Sequence, residues 1–174
     1  MDVRAAPVAG QSVAVAPVTF AVVDAGSSEA RWAMWQYFEE LARRFPGGFV
    51  PGDALHEAAV RYNRPTGAFV IARIADETIG CGALDFLDDT TAEIKRMWIS
   101  SQSRGIGLGK RLLAHLEAEA RRAGRSRVVL DTNGSLTEAI AMYEASGYVP
   151  TARYNDNPYA EHWFTKELTD AEQP

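Results

Sequence analysis

Residues 104–110 read Arg-Gly-Ile-Gly-Leu-Gly-Lys and carry the most specific chemical pattern in the chain. Glycines at 105, 107 and 109 leave a run of backbone N–H groups clear of side chains, just ahead of a helical segment. Free N–H groups at a helix N-terminus bind phosphate or pyrophosphate, and Arg104 and Lys110 add positive charge at the two ends. The run is not a P-loop, because it lacks the Gly-Lys-Ser/Thr ending. It is not a dinucleotide fingerprint either: its third glycine is too close, and no acidic residue follows the next strand at the required distance. The one cysteine, Cys81, excludes an internal disulfide and a Cys-based zinc centre. Its neighbours Gly80 and Gly82 suggest a buried strand, a poor place for an acyl carrier. His56, His115 and His162 lack metal-ligand spacing, so no metal site is expected.

The elements that must position this loop follow from periodicity. Residues 18–23 are β-branched and apolar and read as a strand. Ser27 or Ser28 caps a helix whose expected buried stripe is Trp35, Phe38, Leu41, Ala42 and Phe45. Asp53 starts a short second helix, with Leu55, Ala59 and Tyr62 expected inward. Residues 69–74, 78–87 and 92–99 are three strands separated by tight turns, hence an antiparallel meander. Strand alternation would put Glu93, Lys95, Met97 and Ile99 on one face. Residues 107–123 form a helix with Leu108, Leu112, Leu116 and Ala120 as its stripe, closed by Gly124. Residues 127–131 are an apolar strand, far enough along the chain from 92–99 for a parallel crossover. Ser135-Leu136-Thr137-Glu138 reads as a capping box for a last helix, and 149–152 and 160–168 as closing strands.

The loop, together with what flanks it, resembles the GNAT superfamily of acetyl-CoA-dependent N-acetyltransferases. Arg104, Gly107 and Gly109 match the family's Arg/Gln-x-x-Gly-x-Gly/Ala signature. Residues 93–99, Glu-Ile-Lys-Arg-Met-Trp-Ile, are similar to the strand before that loop. Residues 139–148, Ala-Ile-Ala-Met-Tyr-Glu-Ala-Ser-Gly-Tyr, resemble the family's Ala-x-x-Leu-Tyr…Gly-Phe segment. The likeness runs from about residue 18 to 168. It implies a single α/β domain: a mixed, mostly antiparallel sheet with a central splayed parallel strand pair, flanked by helices. The domain is expected over 18–170, with 1–17 as a loosely packed tail.

The resemblance also implies roles. The pantetheine arm of acetyl-CoA would pair with Met97, Trp98 and Ile99, and the pyrophosphate would lie on Arg104, Gly105, Ile106, Gly107, Leu108, Gly109 and Lys110. Tyr143 matches the tyrosine that protonates the leaving thiolate and contacts the cofactor. Glu93 or Asp131 would be the base, directly or through water. The family often has an asparagine seven residues before the tyrosine, where this chain has Leu136; Asn133 is the nearby substitute. The segments 49–62 and 154–159 would shape the acceptor site, with Asp53 or Asp156 attracting a cationic amine.

Composition frames this reading. The 174 residues carry 18 Lys+Arg against 23 Asp+Glu, a net charge of −5 that disfavours nucleic acid as a partner. Residues 95–127 hold nine of those 18 cations and only two acids, so the basic segment coincides with the loop and its helix. No window is apolar enough to span a membrane, and the N-terminal run, broken by Pro7, Gly10 and Ser12, is a poor signal peptide. The expected protein is a cytoplasmic monomer or homodimer that acetylates a small-molecule amine by direct attack in a ternary complex. A protein N-terminal or lysine acetyltransferase and a non-catalytic acyl-CoA-binding module are the alternatives.

Overall fold

A computed structural model describes residues 16–168. Most of the expected tail, residues 1–15, and the last two residues of the expected domain lie outside the described residues. The elements run β1 (Val18–Val23), α1 (Ser28–Arg44), α2 (Ala54–Arg61), β2 (Gly67–Ile74), β3 (Glu77–Phe86) and β4 (Thr91–Ile99). They continue through α3 (Leu108–Arg122), β5 (Arg127–Thr132), α4 (Thr137–Ala145), β6 (Val149–Pro150) and β7 (His162–Glu167). One seven-stranded sheet has the order β1-β2-β3-β4-β5-β7-β6. All neighbours are antiparallel except β4 and β5, the pair joined by the α3 crossover.

Alternation along β2 divides the molecule into two cores. Ala68, Val70 and Ala72 face α3 and meet Leu108, Leu112, Leu113 and Leu116. Phe69 and Ile71 face the other way and meet Ala30, Ala33, Met34 and Phe38 of α1. Each fully buried leucine of the α3 stripe contributes about 1.5–3 kcal/mol. Gly82 is required by this packing, since a Cβ there would stand 2.6 Å from Leu116 Cδ1.

Of the expected α1 stripe, Phe38, Leu41 and Phe45 are buried, but Trp35 and Ala42 are not. Ala30, Ala33, Met34, Phe38 and Leu41 are buried, whereas Trp35 is 46% exposed and Ala42 lies on the outside. The helix approaches the sheet through its alanines, a closeness that the bulk of Trp35 would prevent. In α2 the buried residues are Ala54, Ala58 and Tyr62, with Leu55 and Ala59 only half-buried. The capping box is absent from α4. Its N-cap is Leu136, Ser135 Oγ donates to Asn133 Oδ1 at 2.7 Å, and Glu138 pairs with Arg44 of α1. The Asn133 turn thus takes the hydroxyl that would have capped the helix.

Strand β4 contains the feature that shapes the site. Cys81 pairs with Trp98 but Ala83 pairs with Lys95, so an extra residue is accommodated opposite Gly82. Arg96 there has φ of +58°. A non-glycine residue in that region costs about 1–2 kcal/mol. The bulge reverses the alternation: Ile94, Met97 and Ile99 join the α3 core, while Trp98 joins the α1 core. The expected single face of Glu93, Lys95, Met97 and Ile99 is therefore broken at Arg96.

Candidate active site

Parallel pairing of β4 with β5 covers only Thr91–Glu93 against Arg127–Val129. Beyond it β5 stays with β7 as far as Thr132, and the β5-facing edge of β4 is left open. Two connected cavities occupy this splay. A cleft of about 400 Å³ runs from Met97, Trp98 and Ile99 along Arg104, Gly105 and Gly107–Lys110 to Met142 and Tyr143. A smaller cavity of about 110 Å³ lies between β4 and β5, beneath Phe45, Phe49 and Tyr159. Tyr37, Leu41, Met97 and Tyr143 border both.

The loop supplies the cleft with donors. Gly105 and Gly107 have φ of +82° and +78°, and Gly107 is the left-handed N-cap of α3. Arg111 donates to the Gly107 carbonyl at 3.1 Å, so the amides of Leu108, Gly109 and Lys110 before it are the helix's unsatisfied donors. Gly109 faces α4, where a Cβ would stand 3.0 Å from Met142 Sδ. Ile106 is 66% exposed and its side chain points away from the cleft. Arg104 is anchored: Nε and Nη2 donate to the Ile99 carbonyl at 3.0 and 2.8 Å, and its other partner is Glu40. Its charge therefore sits at the end of β4, and Lys110 and Arg44 are the further cations on the cleft. Glu40 and Glu138 line the same cleft and pair with Arg104 and Arg44, so its anion-binding power rests on the α3 amides and Lys110. A glycine-walled cleft with such donors and an open strand edge fits a nucleotide thioester, its pantetheine beside Met97–Ile99 and its pyrophosphate at the head of α3.

The carboxylates occupy the small cavity and the space behind it. Asp131, at the end of β5, lines the cavity and accepts from Asn155 Nδ2 at 2.5 Å and Asn157 Nδ2 at 3.2 Å. Glu93 is buried behind it, accepting from Lys95 Nζ at 3.0 Å, Tyr154 Oη at 3.0 Å and Asn155 Nδ2 at 3.1 Å. It borders a separate recess with Arg61 and Tyr154, outside the cavity that holds Asp131. Burial works against the charge of Lys95, but Glu93 and Asp131 outweigh it and the ammonium is held charged. Burial first, with Glu93 and Asp131 adding, pushes the Tyr154 hydroxyl well above the ordinary tyrosine range.

Tyr143 projects from α4 to the junction of the two cavities, where its hydroxyl lies 3.9 Å from Met97 Sδ. Burial, then Tyr37 and Asp131, raise its hydroxyl above the ordinary value and keep it protonated. Asn133 also lines the small cavity, but its side chain is engaged by the turn: Nδ2 donates to the Tyr159 carbonyl at 2.8 Å and Oδ1 accepts from Ser135. Cys81 is fully buried in β3, and burial pushes its thiol far above the range in which a thiolate forms.

Neither acceptor-side aspartate lines the small cavity. Asp156 is fully exposed and paired outward with Arg153, because Arg153 Nε is held by the Asn155 carbonyl and draws it there. Asp53 is an exposed helix-start residue absent from the cavity walls. The polar residues that do approach Asp131 are Asn155 and Asn157, with Arg96 and Lys95 from the bulge. Sequence reasoning placed the asparagines only within a broad acceptor segment. That segment, 154–159, is irregular, and no periodicity tells which of its side chains turns inward.

The splayed parallel pair, the glycine loop heading α3 and the aromatic hydroxyl between two cavities define a CoA-dependent acyltransferase. The chain belongs to the acetyltransferase (GNAT) family, whose model matches residues 32–148. It is 32% identical over 142 residues to the IAA acetyltransferase of Azospirillum brasilense, covering 79% of this chain and 92% of that one. It is 34% identical over 124 residues to the N-acetyltransferase YsnE of Bacillus subtilis, covering 68% and 82%. An acyl-CoA N-acyltransferase from Klebsiella pneumoniae superimposes with TM-score 0.67 at 27% identity, over 87% of this chain and 97% of that one. A GNAT acetyltransferase from Elizabethkingia anophelis, solved with acetyl-CoA bound, shares the fold with TM-score 0.62 at 20% identity, over 87% and 98%.

Proposed function

We propose that the protein acetylates the amine of a small molecule with acetyl-CoA, by direct attack within a ternary complex. The observation that carries this reading is the pair of cavities meeting at Tyr143, one long and glycine-walled, the other about 110 Å³ and bordered by aromatic rings. An engineered cavity of about 150 Å³ accepts benzene, so the small chamber suits a compact acceptor better than a peptide chain.

The acetyl thioester supplies the activated carbonyl. Asp131, facing the chamber, holds the acceptor as an ammonium and takes its proton, directly or through water, as the nitrogen becomes nucleophilic. Glu93, tied to the same Asn155 amide, stands behind Asp131 as a second carboxylate on the proton path. The nitrogen bonds to the acyl carbon, the C–S bond breaks, Tyr143 gives its proton to the departing thiolate, and the second proton shed by the nitrogen as the amide forms restores the Tyr143 hydroxyl through water. The β4 edge past the bulge offers the backbone N–H that polarises the carbonyl. Cys81 does not carry the acyl group, because it is sealed in the sheet.

Thiol release from acetyl-CoA with a panel of small amines and short peptides tests this. Release that depends on a small amine, retained when Cys81 is replaced by alanine, is the expected result. CoA binding by calorimetry with no turnover on any acceptor would indicate a binding module instead, and turnover on peptides alone a protein acetyltransferase.

A further inference from the structure

Arg96 is a cation in the wall of the small chamber with no anion of its own. Among the described residues its guanidinium appears in no salt bridge, whereas Lys95 beside it is paired with Glu93. Its Nε is buried and has no hydrogen-bond acceptor. The faces of Phe38 and Tyr37 flank the guanidinium, with its carbon 5.2 and 6.0 Å from their centroids. Ring faces steady a cation without accepting in the plane of the fork, and the Tyr37 hydroxyl beside it is a neutral oxygen, so the fork keeps donors for an anion. The bulge that aims this residue into the chamber is held at φ +58°. Strain of this kind, together with an unsatisfied buried donor, marks a position shaped for a ligand.

Asp131 forms part of the same chamber; burial works against the Arg96 charge, but Tyr62 and Tyr37, with Asp131 adding, outweigh it. The chamber thus presents a guanidinium without a salt bridge and an amide-braced carboxylate, with Phe45, Phe49 and Tyr159 around them. We propose that Arg96 receives a carboxylate of the acceptor, so that the acceptor is an amino-acid zwitterion with its carboxylate at Arg96 and its amine at Asp131. The planar fork suits a carboxylate in two parallel hydrogen bonds, and exclusion of water by the rings strengthens them. At a peptide N-terminus the α-carboxylate has become a neutral amide, so the same residue disfavours it. This inference rests on the acetyl-transfer reading for the chemistry but not for the binding.

The test uses wild-type protein and matched trios: L-alanine, L-methionine and L-phenylalanine, their carboxamides, and the decarboxylated amines. For at least one trio the free acid is expected to exceed both partners about tenfold or more in kcat/KM, mainly through KM. Arg96→Gln is expected to bring that ratio to about one, and Arg96→Lys to restore it in part, because a point charge lacks the fork. Thermal melts establish that each variant folds; if one does not, the wild-type comparison of acid with carboxamide decides alone. Equal use of acid, amide and amine by the wild type, or a preference unchanged in Arg96→Gln, overturns the proposal. Calorimetry of the same compounds with CoA present separates the two readings. Arg96-dependent binding of the acid without any acetylation would sustain the carboxylate site and reject acetyl transfer. Acetylation of amines without preference for the acid would do the reverse, and acids that neither bind nor react would reject the site.

Discussion

Asn155 holds Asp131 by its side-chain amide: Nδ2 lies 2.5 Å from Asp131 Oδ2, and the same nitrogen donates to Glu93 Oε1 at 3.1 Å. One amide nitrogen has two hydrogens, so it serves both carboxylates at once. Its orientation is not free, because Trp163 Nε1 donates to Asn155 Oδ1 at 3.0 Å. Two acids on neighbouring strands are thereby kept at a fixed separation by a residue from an irregular segment.

Replacing Asn155 with leucine removes both donors and leaves the Trp163 indole without its acceptor. Turnover should fall by about tenfold or more, and stability by about 1–3 kcal/mol, the usual consequence of stranding buried polar groups. The KM for acetyl-CoA should stay within about threefold, since Asn155 does not line the cofactor cleft. Steady-state kinetics and a denaturant melt measure both quantities; unchanged turnover would remove the amide from the proton path.

Tyr143→Phe deletes one oxygen at the junction of the cavities and keeps the ring packing against Tyr148 and Phe164. If the hydroxyl protonates the thiolate, kcat should drop on the order of 10²-fold or more. The melting temperature should move little. A variant with the wild-type kcat at saturating substrates would show the hydroxyl to be dispensable.

The tyrosines also set an alkaline limit. Tyr37, Tyr62, Tyr143, Tyr148 and Tyr154 are all held above the ordinary tyrosine value, with burial the largest cause in each. A group whose folded pKa is raised adds stability that is fully present below its unfolded value, about 10 for tyrosine, and is lost as pH rises through the folded one. The fold should therefore weaken progressively above about pH 10. Tyrosinate absorbance from these rings should rise together with loss of circular dichroism, and an early rise in the native state would contradict their burial.

The loop glycines separate folding from cofactor binding. Gly107 has φ of +78° with nothing within 4 Å of an added Cβ, so Gly107→Ala should cost about 1–2 kcal/mol through backbone strain alone. At Gly109 the backbone is helical, but a Cβ would press on Met142 Sδ at 3.0 Å beside the cleft. Gly109→Val should raise the KM for acetyl-CoA about tenfold or more while the protein still melts cooperatively. An unaltered KM would place the nucleotide elsewhere.

Local pattern determined a great deal of this protein. The meander, the α3 leucine stripe, the glycine punctuation and the parallel crossover are written in spacings of two, three and four residues, and each appears where its period puts it. The loop and Tyr143 were legible because their motifs are contiguous. Periodicity erred where packing chose between near-equal faces: Ala30, Ala33 and Met34 of α1 lie against the sheet and Trp35 is turned out. It erred again at Arg96, where one inserted residue opposite Gly82 reversed the faces of β4 and sent a cation into the chamber. No window of sequence contains that information, since a bulge is a property of two paired strands. The same holds for Asn155 and Asp131, 24 residues apart in the chain and joined only when β7 pairs with β5. Sequence thus determined the elements and the cofactor loop. The tertiary structure decided which charges share the chamber, because their proximity arises from strand pairing between distant segments.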